Sequence, residues 1–223
     1  MTKTLLLTLT LAASMTSMRA GNVLLNSDFE SGNLNGWAAF VTPHGSSGGS
    51  GFPAVISFNT TGSGSSLAAE FNVGKSSAST NSEGGWIQQG LTLATGGTYT
   101  FFANIASQDD ASGQVNGDPG TFSIVIDGVT LATNQLGGGA GFTSAFQILN
   151  GTLSGTANLS AGGHTFEVLI TRTSFNGGDS TPTEFVDNVS LTSTATPEPA
   201  SFGLMALPLL GLAASFVRRR RLV

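Results

Sequence analysis

No feature constrains this chain more than Asp127-Gly128, which stands between the alternating runs 121–126 and 129–133. Asp-Gly in that setting favours a two-residue turn with positive φ at both positions, so it predicts a tight antiparallel hairpin. The same grammar repeats along the body. Roughly ten short apolar or alternating runs lie between residues 22 and 192, separated by Gly, Asn, Asp and Ser clusters. No helical period appears before residue 196. Such a chain buries its apolar faces sheet on sheet, which predicts an all-β sandwich or barrel.

In order, residues 23–25 read as a first strand. Trp37 opens a second with Phe40 and Val41, Trp37 inward and Phe40 outward. Residues 44–51 read as a loop, 54–58 and 67–71 as strands, and 75–85 as a polar loop. Residues 86–93 alternate, with Trp86, Gln88, Gly90 and Thr92 on one face and Ile87, Gln89, Leu91 and Leu93 on the other. Strands are further expected at 99–106, 142–149, 152–157, 164–171 and 184–191, with a long polar loop at 108–120.

Charged residues make up only 9% of the 223, and Gly numbers 31. Apolar residues reach 39% and fall in these alternating runs, so the composition is that of a folded, turn-rich β protein. Between residues 21 and 195 the only bases are Lys75 and Arg172, set against twelve acids. That balance repels phosphate backbones and argues against nucleic-acid binding. It attracts divalent cations. Cysteine is absent, so no disulfide staples the loops.

The two ends differ from the body. Lys3 precedes a short apolar stretch and then small residues, the layout of a signal peptide over residues 1–20. At the other end, Pro197, Glu198 and Pro199 precede the uncharged run 200–217, which the arginines Arg218, Arg219, Arg220 and Arg221 close. Eighteen helical residues rise about 27 Å, close to a hydrocarbon core of about 30 Å. The arginine block would hold its end in the cytoplasm and leave the body on the far side. The expected organisation is therefore a signal peptide (1–20), a β-sandwich domain (21–195) and a tail (196–223) with one transmembrane helix.

That tail resembles the PEP-CTERM sorting signal of Gram-negative bacteria, carried by the Pro-Glu-Pro motif, the apolar run and the terminal arginines. The resemblance implies processing by an exosortase near the motif. It implies export across the inner membrane, membrane anchoring before processing, and final residence at the cell surface or in an exopolysaccharide and biofilm matrix.

The body resembles the galactose-binding-like jelly roll of many carbohydrate-binding modules. Three segments carry the likeness: Asn26-Ser-Asp-Phe-Glu with Gly36-Trp37, Trp86-Ile-Gln-Gln with Gly97-Thr-Tyr-Thr, and Phe185-Val-Asp-Asn-Val-Ser-Leu. The resemblance implies a jelly-roll β-sandwich whose first and last segments lie side by side. It also implies a structural calcium held by an acid after the first strand and one in the last: Glu30 and Asp187, with Asp28 as a third candidate. Calcium takes six to eight oxygens, carboxylate and carbonyl mixed.

Sugar binding needs exposed aromatics for ring stacking and polar groups for hydroxyls. Trp86 and Tyr99 are the candidate platforms, with Gln88, Asp109 and Asp110 as polar partners. For catalysis, no Gly-x-Ser-x-Gly elbow, His-Glu-x-x-His or cysteine site occurs. The sequence is read as a non-enzymatic surface or matrix protein with a glycan-binding sandwich. The alternatives are a structural surface protein without ligand and, third, a secreted polysaccharide hydrolase.

Overall fold

The chain changes sheet at most of its turns. In the computed structural model the residues described are 21–109, 118–139, 141–175 and 182–194. The expected signal peptide and the sorting tail, with Pro197, Glu198, Pro199 and Arg218, Arg219, Arg220 and Arg221, lie outside them. The described strands are β1 (Ala38–Val41), β2 (Gly45–Ser46), β3 (Ala54–Phe58), β4 (Ser66–Phe71), β5 (Gly74–Lys75), β6 (Glu83–Leu93), β7 (Gly97–Gln108), β8 (Thr121–Ile126), β9 (Val129–Gln135), β10 (Ile148–Leu159), β11 (Gly162–Arg172) and β12 (Thr183–Ser193). One five-stranded sheet has the order β1-β6-β11-β8-β9, and the other β10-β7-β12-β4-β3. From β6 onward successive strands fall in opposite sheets, except within the β8–β9 hairpin, which is the crossing pattern of a jelly roll. Among the described residues no helix is long and apolar enough to cross a membrane.

Alternation sets the core. On β6, Ile87 and Gln89 are buried while Gly90 and Thr92 face solvent. On β7, Tyr99, Phe101, Ala103 and Ile105 point inward, and on β11, Phe166, Val168 and Ile170 do the same. These two sets and Phe71, Phe122 and Val186 fill the space between the sheets. A fully buried Phe or Ile contributes about 1.5–3 kcal/mol by leaving water. The expected hairpin is present: Ile126 pairs with Val129, with Asp127 at φ 52° and Gly128 at φ 77°. Trp37 is buried and Phe40 exposed, as their alternation predicts.

Four expectations need correcting. Residues 23–25 form no strand; the segment makes a single bridge, Asn22 to Thr192, and Leu25 is exposed. Asn22 holds that bridge through its side chain, which accepts from Leu191 N–H (2.9 Å) and donates to Val189 O (2.9 Å). The Gly/Ser loop at 44–51 contains β2, paired with β5. The polar loop at 75–85 ends early, because β6 begins at Glu83. Residues 142–147 lie outside any strand, and a single long β10 follows from Ile148. The first and last segments do lie side by side.

One part of the interior is polar. Arg172 is fully buried; its Nε donates to Asp118 O (2.8 Å) and its Nη1 to Val73 O (3.1 Å). Glu184 lies beside it, Oε1 to Nε 3.7 Å, and accepts from Val73 N–H at 2.9 Å. Burial pushes the Glu184 carboxyl up to about 8, against the Arg172 charge and that backbone N–H.

Candidate functional site

The outward residues of the β1-β6-β11-β8-β9 sheet form rows across the strands. One row runs Phe40, Trp86, Leu169, Ser123, Thr133. Phe40 and Trp86 are stacked, ring centroids 5.4 Å apart and planes 21° from parallel. Phe40 is 44% exposed and Trp86 is half-buried, so the pair presents aromatic surface to solvent. The next row is Ala38, Gln88, Glu167, Val125. Trp86 Nε1 donates to Gln88 Oε1 (3.3 Å), which ties platform to polar row. Burial raises the Glu167 carboxyl above its ordinary range, and the Asp127 charge pushes the same way. An aromatic plane beside an amide and a carboxylate can take the apolar face and the hydroxyls of a sugar together.

Beyond that row the surface sinks into a shallow groove of about 500 Å³, lined by Gly90, Leu91, Thr92, Asp127, Gly163, His164 and Thr165. The hairpin turn supplies Asp127. Its Oδ1 accepts from Thr165 N–H (2.8 Å), and its Oδ2 lies 2.6 Å from His164 Nδ1. His164 Nε2 faces Ser160 O at 3.0 Å. Both ring nitrogens thus face acceptors, an arrangement that only the imidazolium satisfies. The bond to Asp127, then that to Ser160, raises His164 above its ordinary value. Burial pushes Asp127 up, but its bonds from His164 and Thr165 outweigh this and hold it low.

The acids expected for calcium sit elsewhere. Asp187 faces outward from β12, yet is fully buried. Its carboxylate accepts from Thr60 and Ser66 hydroxyls and from Asn188. Burial pushes it up, those hydrogen bonds oppose this, and the charge of Glu30 adds to burial. Glu30 also accepts from Leu67 N–H at 3.0 Å. The fold thus brings Glu30 to Asp187 across most of the sequence. Asp28 is exposed, and its Oδ1 accepts from Glu30 N–H (3.4 Å) in the turn. Lys75 and Arg172 are bonded at other places, to Ser79 O and to Val73 and Asp118 carbonyls. Among the described residues neither acid is ion-paired to a base, and the two carboxylates with the Thr60 and Ser66 hydroxyls offer oxygen donors of the kind calcium takes. Among the described residues no group of three or more acids, histidines or cysteines is gathered.

Two sugar-binding candidates are misplaced. Tyr99 is 3% exposed, and its hydroxyl donates to Thr95 O (2.8 Å), so it offers no face for stacking. It shares the inward phase of Phe101 and Ala103. Asp109 is buried as well, its N–H donating to Gln147 O (3.0 Å). Asp110 lies outside the described residues. Trp86 and Gln88 are on the exposed face, as their alternation predicts. Phe40, Glu167, Asp127 and His164 join them through strand pairing, which no local pattern states. His44 Nδ1 meets Ser77 Oγ at 2.9 Å, while Glu83 accepts from the His44 backbone (3.4 Å).

No family model and no curated protein matches the chain. Solved structures similar to it include TmCBM61 in complex with β-1,4-galactotriose, at 11% identity, 78% of this chain, 99% of that one and TM-score 0.41. The CBM22-1 xylan-binding domain from Paenibacillus barcinonensis Xyn10C is similar at 14% identity, 79% and 99% coverage and TM-score 0.36. The K3 cleaved adhesin domain of Lys-gingipain from Porphyromonas gingivalis is similar at 18% identity, 76% and 99% coverage and TM-score 0.42. At these values the likenesses assign the chain neither a family nor a ligand.

Proposed function

We propose that this chain is an exported, non-catalytic surface or matrix protein that binds glycan on the outer face of the β1-β6-β11-β8-β9 sheet. The observation that carries the reading is the stacked, solvent-facing pair Phe40 and Trp86, with Gln88 and Glu167 in the next row. Trp86 stacks on a sugar ring, and Gln88 and Glu167 take its hydroxyls. In this reading Glu30 and Asp187 hold a structural calcium with nearby oxygens, which relieves the repulsion between the two acids. The ion's part is structural.

Retention of the full chain on the exopolysaccharide of its own host tests the glycan reading. Trp86→Ala is expected to weaken retention about tenfold, the loss of about 1–1.5 kcal/mol of aromatic contact. Equal retention of wild type and variant would refute it.

The same proposal includes sorting: signal peptide, inner-membrane anchoring through residues 200–217, and exosortase processing at Pro197, Glu198 and Pro199. Intact-mass measurement in an exosortase-bearing host tests this part. Wild type is expected to lose Arg218 to Val223, and a chain with the three motif residues replaced to keep them. Retention of those residues by both would reduce the tail to an anchor.

A further inference from the structure

The groove beyond the aromatic row has a floor that packing does not explain. Gly90 and Gly163 line it from within β6 and β11, where an interior glycine costs stability and often marks close approach of a ligand. Neither has a positive φ, and a Cβ built on either meets nothing within 4 Å. Gly84, Gly151 and Gly155 differ: a Cβ there would lie 2.0, 2.7 and 2.5 Å from Ile170 O, Leu136 and Phe101. Those three are required by crowding. Among the described residues, Gly90 and Gly163 answer to no conformational or steric demand; their effect is to hollow the surface.

The hollow's polar groups suit sugar hydroxyls. The Asp127 side chain is 46% exposed, so its carboxylate can accept further hydrogen bonds. Thr92 and Thr165 add hydroxyls at the rim. His164, only 6% exposed, serves to hold Asp127 in place. With twelve acids to two bases in the body, an anionic sugar would be repelled, so the fitting ligand is neutral. Trp86 and Gly90 lie on one face of β6 four residues apart, about 13 Å at ~3.3 Å per residue. That span exceeds one pyranose ring and suits a short oligosaccharide lying along the strand.

We infer that the groove over Gly90 and Gly163 is a second subsite of the same face, taking the hydroxyl edge of a neutral sugar while another unit of that chain stacks on Trp86. The protein therefore binds along a glycan chain and not to a single ring. This inference rests on the glycan reading above and specifies its ligand as an uncharged, extended oligosaccharide.

The test is calorimetric titration of the full chain with neutral oligosaccharides of one to six units cut from the exopolysaccharide of its own host. Wild-type affinity is expected to rise at least tenfold between the shortest and the longest oligomers. Trp86→Ala lowers affinity at every length. Gly90→Val fills the hollow without a clash and flattens the dependence on length; Thr92→Phe, which crowds the rim, does the same and guards against a folding defect in the first variant. If both groove variants keep the wild-type dependence on length while Trp86→Ala still loses binding, the second subsite is refuted and the glycan reading stands. If no oligomer binds wild type, or Trp86→Ala binds as wild type does, the glycan reading fails and takes the subsite with it.

Discussion

Glu184 gives the domain an unusual dependence on pH. Its carboxyl is fully buried and pushed up to about 8, whereas in the unfolded chain it ionises near its ordinary value of 4.5. Between those values the folded state binds one proton more than the unfolded state. Stability therefore falls as pH rises, at about 1.4 kcal/mol per pH unit for a single proton. From pH 5 to pH 7 the loss from this group amounts to about 2–3 kcal/mol. Glu184→Gln has the shape and neutrality of the protonated acid and can keep the bond from Val73 N–H. Urea unfolding of both chains at pH 5, 6 and 7 isolates the effect, because other titrating groups cancel in the difference. The variant is expected to match wild type near pH 5 and to exceed it by about 2–3 kcal/mol at pH 7. Parallel stability curves would refute the reasoning. They would mean that Glu184 is ionised in the fold and that Arg172 compensates its burial in full.

Three further outcomes are expected. If Glu30 and Asp187 share calcium, chelator lowers the melting temperature by about 5–10 °C, as for ~2.7 kcal/mol of linkage at a hundredfold excess over Kd in a domain of this size; Glu30→Ala and Asp187→Ala each abolish that response, and unchanged melting in chelator would sink the site. Gly84→Ala forces a Cβ to 2.0 Å from Ile170 O, so urea unfolding should show a loss of about 3 kcal/mol; a wild-type midpoint would contradict the close packing of β6 on β11. The His164 ring should titrate above its ordinary 6.5 by NMR, and Asp127→Asn should bring it back down. Its stabilising part is complete below the ordinary value and lost as pH rises through the raised one, and it stays below about 1 kcal/mol because Asp127 is nearly half exposed.

What could be read from residues alone was local. Asp127-Gly128 named its hairpin because only a tight turn accommodates two consecutive positive φ values. Residues 86–93 sorted themselves into two faces because Ile87 and Leu93 cannot lie outward with Trp86 and Gln88. Tyr99 failed because both phases of β7 carry aromatics: Phe101 points in and Phe102 is half-buried on the other face, so the pattern does not say which side is core. The supposed first strand failed because Asn22 satisfies β12 with its side chain, leaving Leu25 outside any sheet. The site was legible only in part for the same reason. Trp86 and Gln88 share a strand, whereas Phe40, Glu167 and Asp127 reach them through register, and register is decided by long-range pairing.

The bridge from Asn22 to Thr192 has a mechanical consequence. The domain begins and ends at one place, so a chain running through it gains almost no length. Tension applied beyond Thr194 enters through β12, the middle strand of its sheet. Drawn lengthwise, that strand loads its rungs to β7 and β4 together in shear, and none can be unzipped singly. The Phe40 and Trp86 face lies on the opposite sheet, so a load held there must cross the interdigitated core before it reaches β12.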